Sequence, residues 1–231
     1  MVLYVIAFDG MHRSGKGEQT FLLRLAFKRR GLPSVILRGD GSRPGTGTDE
    51  GDPPDRWWMD FRNELARLRN PAEQFDLWFQ AACRLATEFL TWKYQIMPGR
   101  LAAAGSADGV IILDRSLVSR MNLAIKAGHA TDLDGLYHQA GVWKELLPDI
   151  LFYLAAPQTV LLERLKPNDP KFEFRRELLI QGFGTFERAA SNLPGEVSER
   201  LVRLDAARSL GEVHDAVLSA LAVRLPNLVE G

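Results

Sequence analysis

Residues 8–17 read Phe8-Asp9-Gly10-Met11-His12-Arg13-Ser14-Gly15-Lys16-Gly17, between an apolar run from Val2 to Ala7 and an amphipathic stretch from Glu18 to Arg30. The run reads as a buried strand and the stretch as a helix, so these ten residues form a strand-to-helix loop. Gly10, Gly15 and Lys16 stand at the spacing of a phosphate-binding loop, in which small residues let the backbone curl until successive N–H groups face one anion. The helix that follows adds its positive end. Lys16 supplies a flexible point charge for the outer phosphates of a nucleoside triphosphate. Where a Ser or Thr hydroxyl usually helps to hold magnesium, the chain has Gly17. The bland alternative is a plain strand-to-helix turn with an exposed lysine. Strand, glycine loop and helix in the required order favour the phosphate reading.

Outward from the loop, the helix ends at Gly31 before Leu32-Pro33, and Val35-Ile36-Leu37 reads as a short strand. Residues 38–56 are crowded with Gly, Pro, Asp and Thr and carry Arg38 and Arg43 near the strand end. A loop this long is either functional or simply solvated. Two helices are expected over 57–69 and 71–101, broken at Asn70-Pro71. In the second, Arg84 falls near the stripe formed by Leu77, Ala81, Leu85 and Glu88, where a cation needs either a structural carboxylate or an anionic ligand. Trp78, Phe79 and Trp92 at helical spacing read as core. A homodimer face on this aromatic helix pair is an equally serviceable reading.

Gly109 to Leu113 is a continuous apolar run that ends in Asp114-Arg115, the pattern of a strand buried on both faces of a parallel sheet with its ligand-binding end at the acid. Asp114 there either holds magnesium through water or caps the helix beginning near Ser116. Arg115 is suited to a phosphate. Helices are expected over 117–127 and from about 135 to 146, then a strand over 150–154 and a helix after Pro157 whose end is marked by Arg164 and Lys166. A polar loop over 167–171, a helix over 172–190, a strand over 201–204, a loop over 205–209 and a closing helix over 210–225 complete the alternation. Alternation of this kind builds an α/β domain with a parallel central sheet flanked by helices.

Composition sets the outer limits. The 231 residues suit one α/β domain, and 29 basic against 29 acidic side chains give no bulk attraction to nucleic acid or membrane. Cys83 is the single cysteine, so no intrachain disulfide forms, and no apolar run approaches a membrane span. A soluble cytoplasmic protein is expected. His12 lies in the phosphate loop, while His129, His138 and His214 show no metal-ligand spacing.

Four stretches together resemble the thymidylate kinase branch of the nucleoside monophosphate kinases. They are Phe-Asp-Gly-x-x-Arg-Ser-Gly-Lys at 8–16, Asp114-Arg115 with Ser119, Pro-Asp-Ile-Leu-Phe-Tyr-Leu at 148–154, and Leu-Asp-Ala-Ala-Arg-Ser-Leu at 204–210. The resemblance spans nearly the whole chain. It implies a three-layer P-loop kinase fold, with an acceptor-binding helical part about 40–105 and a short lid about 164–176. It implies ATP with Mg2+ as donor, held by Gly10, Arg13, Ser14, Gly15, Lys16, Gly17 and Glu18, with an adenine contact near Ala207 and Arg208. A nucleotide acceptor would meet Asp9, Arg38, Arg43, Arg84, Arg115 and Ser119. Lys16, Asp114, Arg115 and Arg164 would act on the transferring group, Asp114 through the metal.

The chain departs from that pattern at His12, where a carboxylate is usual, at Gly17, where a hydroxyl is usual, at Cys83, where an acid is usual, and at Ser116, where an aromatic is usual. The acceptor loop appears in altered form as Arg38-Gly39-Asp40-Gly41 or Arg43-Pro44-Gly45-Thr46. Two other readings therefore stay open: a kinase of the same fold acting on a nucleoside, a modified nucleotide or another small metabolite, and a nucleotide-binding protein without catalysis.

Overall fold

A computed structural model describes residues 2–38, 64, 67–126 and 144–229 of the chain. The expected helix over 57–69, the loop carrying Arg43 and the helix from about 135 lie wholly or mostly outside these residues.

The architecture is α/β, a five-stranded all-parallel sheet with flanking helices, consistent with a P-loop kinase fold. Its strands are β1 (Val2–Gly10), β2 (Ser34–Arg38), β3 (Asp108–Asp114), β4 (Ile150–Ala155) and β5 (Leu201–Asp205), in the spatial order β2-β3-β1-β4-β5. Consecutive residues of β1, from Val5 to Gly10, are buried, as are Ile150 to Leu154 of β4. Because side chains alternate between faces along a strand, such unbroken burial requires cover on both sides. At the centre the rings of Phe8 and Phe152 stack with centroids 5.0 Å apart.

Helix α1 (Lys16–Arg29) packs on β1, β2 and β3. It starts two residues earlier than the periodicity of 18–30 suggests, because Gly15, at φ 93°, releases the chain directly into helix. It closes in a Schellman turn, with Leu32 N–H donating to Phe27 O and Gly31 N–H to Lys28 O, each at 3.0 Å, and Gly31 at φ 69°. Helix α2 (Pro71–Thr91) passes through a π-helical turn at Trp92–Ile96 into α3 (Met97–Ala104), where one unbroken helix is expected from the sequence. Pro98 has no N–H for the carbonyl four residues back, and widening the turn absorbs the mismatch. Gly109 lets α3 lie against β3: a Cβ there would meet Leu101 Cδ2 at 2.7 Å. Trp92 packs partly buried against the core, as expected.

Helix α4 (Leu117–Lys126) packs on β1 and against α6 (Phe172–Ser191), which also contacts the short α5 (Gln158–Glu163). After α7 (Gly195–Ser198) and β5, α8 (Leu210–Arg224) covers β4 and β5 and touches α1; α9 (Pro226–Val229) ends the described chain. Right-handed crossovers place α1 on one face and the connections after β3 and β4 on the other. The loops leaving β1 and β3, neighbours in the sheet, therefore part in opposite directions, and a crevice opens at their carboxyl ends. No described helix is long and apolar enough to cross a membrane.

Candidate nucleotide-binding site

The crevice at the ends of β1 and β3 holds the loop from Gly10 to Gly15. Gly10 has φ 146°, and a Cβ on it would meet Leu154 O and Ser14 Oγ, both at 2.7 Å, so only glycine lets the strand turn here. Ser14 N–H closes a turn onto Met11 O at 3.2 Å, with Arg13 between them at φ 68°. A non-glycine residue in that conformation is held against a backbone strain of about 1 kcal/mol or more.

Lys16 is 6% exposed. Its ammonium donates to the carbonyls of Gly10 and Met11, each at 2.8 Å, and to Ser14 Oγ at 3.4 Å. The lysine thus ties the loop's carbonyls to the first turn of α1, whose N-cap, Gly15, offers no side-chain cap to the leading N–H groups. Uncapped N–H groups and the positive end of a helix suit an anion.

His12 feels several cations. Burial first, and then Lys16, Arg13, Arg175 and Arg115, lower its pKa from the ordinary value to about 4. Its Nε2 and the Nε of Arg13 are buried polar atoms with no hydrogen-bond partner among the described residues. Two orphaned nitrogens in a loop of cations fit a polyphosphate, whose oxygens are acceptors for both.

Asp9, expected to meet the acceptor, makes a structural contact. It is fully buried, and its carboxylate accepts from the N–H groups of Ser116 at 3.0 Å, Val118 at 3.1 Å and Ser119 at 3.3 Å, and from the Ser119 hydroxyl. Asp9 therefore caps α4 from the neighbouring strand, and Ser119 is its partner. The cap that the sequence offered as an alternative role for Asp114 is thus supplied by another acid. Asp114 is buried, opposite Phe8 on one side and Arg38 on the other. Mg2+ binds through one or two carboxylates, phosphate oxygens and retained waters, so a single acid at this rim is a suitable ligand set without a hydroxyl at Gly17. Arg115 follows at φ 76°, with its N–H held by Phe8 O at 2.9 Å.

The segment expected as a lid meets the loop directly. Asp169 Oδ2 accepts from Arg13 Nη2 at 3.2 Å and from Arg175 Nη1, while its Oδ1 accepts from Lys171 N–H at 2.9 Å. Arg164 Nη1 donates to Arg13 O at 3.4 Å, onto the strained residue itself. Lys166, Lys171 and Arg176 are exposed, so Arg164 and Arg175 are the cations of this segment brought to the crevice. Asp169 escaped the sequence reading; its one signal is a carboxylate in a loop otherwise flanked by cations.

On the far side, Ala206 N–H donates to Ala155 O at 2.6 Å and Ala207 N–H to Asp205 Oδ1 at 3.0 Å. Arg208 is exposed and pairs with Glu212 at 3.2 Å, inside the capping box that Ser209 and Glu212 form on α8. Gln19 Nε2 donates to Leu210 O at 3.0 Å, which binds this loop to α1. Arg84, expected near an apolar stripe, is exposed among the described residues. Arg38 ends β2 opposite Asp114, and Arg43 lies outside the described residues.

No protein-family model matches the chain. The chain is similar to thymidylate kinase from Chlorobaculum tepidum, with 25% identity over 227 residues that cover 94% of this chain and 96% of that protein.

Proposed function

We propose that the chain is a nucleotide kinase that moves the terminal phosphoryl group of ATP to a nucleoside monophosphate, in the manner of the thymidylate kinase to which it is similar. The observation that carries this reading is the loop itself. Gly10 without room for a Cβ, a buried Lys16 bonded into the loop, an uncapped helix start and two orphaned nitrogens together make a cradle for polyphosphate.

Phosphoryl transfer needs alignment and charge neutralisation more than it needs a protein nucleophile. Lys16 and the first amides of α1 grip the donor's outer phosphates. Arg13, Arg175 and Arg115, from three elements, all act electrostatically on His12 and would neutralise charge that develops on the transferring group. Arg164 holds the Arg13 backbone. Arg38 and Arg84 are assigned to the acceptor, and Ala207 and Arg208 to the adenine side. Mg2+ bound at Asp114 would neutralise phosphate charge and fix its orientation. Closing the 164–176 segment over the crevice excludes water that would otherwise hydrolyse the donor.

A second reading, a kinase of the same fold acting on another small molecule, is favoured by Ser116. It stands where the resembling family has an aromatic, and its side chain is buried beneath the Asp9 cap. A screen of ATP consumption across the common nucleoside monophosphates, nucleosides and small metabolites tests both. Consumption with a monophosphate is the expected result; consumption only with another acceptor establishes the second reading. ATP binding with no transfer to any acceptor would leave a non-catalytic nucleotide-binding protein.

A further inference from the structure

Asp169 is bonded to two arginines, one on the loop after β1 and one on α6. One of its oxygens accepts from Arg13, on the phosphate loop, and from Arg175, on α6. That oxygen lies where the two guanidinium groups converge. A carboxylate oxygen and a non-bridging phosphate oxygen make the same kind of charge-assisted contact with a guanidinium. We infer that Asp169 is a displaceable counter-anion: it occupies Arg13 and Arg175 in the ligand-free protein and gives them up to the donor's terminal phosphate. The inference rests on the nucleotide-binding reading and adds to it a built-in competitor.

Two observations and one electrostatic argument support exchange over a fixed structural bridge. The pair is partly wet, with side-chain exposures of 24% for Arg13, 28% for Arg175 and 14% for Asp169, so each ion pair is weak enough to break without unfolding the segment. The carboxylate sits in a short loop between α5 and α6, and its other oxygen only closes a local turn onto Lys171 N–H. Finally, a terminal phosphate brought to the same two guanidinium groups would meet Asp169 as a like charge a few ångströms away, and such repulsion in a half-buried site favours release.

The consequence has a sign that a structural role would not have. Asp169→Asn keeps an acceptor oxygen for Lys171 N–H but removes the competing charge, so it should tighten anion binding. Inorganic tripolyphosphate and Mg·ATP are titrated into the full chain, its Asp169→Asn variant and Glu173→Gln, which removes an exposed carboxylate from the first turn of α6. Adenosine, which lacks phosphate, is the control ligand. The expected result is a roughly three- to tenfold lower dissociation constant of Asp169→Asn for both polyphosphates, with adenosine unchanged and Glu173→Gln within about twofold of the parent. Equal or weaker polyphosphate binding by Asp169→Asn, or the same gain in Glu173→Gln, overturns the inference while leaving the nucleotide reading in place. If the parent chain binds neither polyphosphate, the nucleotide reading itself fails, and the competitor with it.

Discussion

The phosphate loop and the segment facing it are held by different kinds of bond. Residues 10–16 are fixed by backbone geometry: a glycine that admits no Cβ, an αL glycine and a buried lysine bonded to the loop's own carbonyls. Residues 164–175 reach the loop through partly buried side chains, Arg164, Asp169 and Arg175. The first set has nothing to exchange with solvent at low cost, and the second exchanges readily. The proposed phosphoryl transfer would use that division, with the rigid loop as a cradle for the donor's phosphates and the other segment as a cover that opens between turnovers.

The comparison is broken most severely at Lys16. Lys16→Met keeps the buried stem and removes the charge, and turnover in an ATP-consumption assay should fall by about a hundredfold or more. Gly10→Ala attacks the same half sterically: its Cβ would meet the Leu154 carbonyl at 2.7 Å, and urea denaturation should show a loss of about 3 kcal/mol. Asp9→Ala removes the buried cap of α4, and the same measurement should show a loss of about 2 kcal/mol, with local hydrogen exchange fastest at Ser116 to Ser119.

His12 sharpens the contrast through pH. Its folded pKa, about 4, lies below the ordinary 6.5, so the unfolded chain takes up a proton first as the solution is acidified. The ligand-free protein should therefore lose stability as pH falls from 6.5 toward 4. His12→Gln should flatten that part of a melting-temperature profile, and bound tripolyphosphate should shift it by offsetting the surrounding cations. The smallest effect belongs to Gly17, where a Cβ would meet nothing within 4 Å. Gly17→Ser should raise stability by about 0.5 kcal/mol and lower the Mg2+ concentration needed for half-maximal turnover.

What the sequence disclosed follows the same division. The tight strand-to-helix turn was legible because its requirements are local, and a backbone that must curl there writes itself as Gly10 and Gly15. The buried strands were legible because unbroken apolar runs mark sheets covered on both faces. The Asp9 cap was not legible because its partners, Ser116, Val118 and Ser119, lie more than a hundred residues away and are met only once β1 and β3 pair. The bond between Arg13 and Asp169 spans 156 residues and leaves no periodic trace. The π-turn before Pro98 was there to be found, since a proline inside a helical pattern requires an adjustment.

The central claim is that the amides from Gly10 to Glu18 close around polyphosphate. Hydrogen–deuterium exchange of the unmodified chain, with and without Mg·ATP, reads those amides individually. The account expects protection to rise most at residues 10–18, with a smaller gain over 164–175. Unchanged exchange at residues 10–18 under saturating Mg·ATP, or protection confined to another part of the sheet rim, would contradict it.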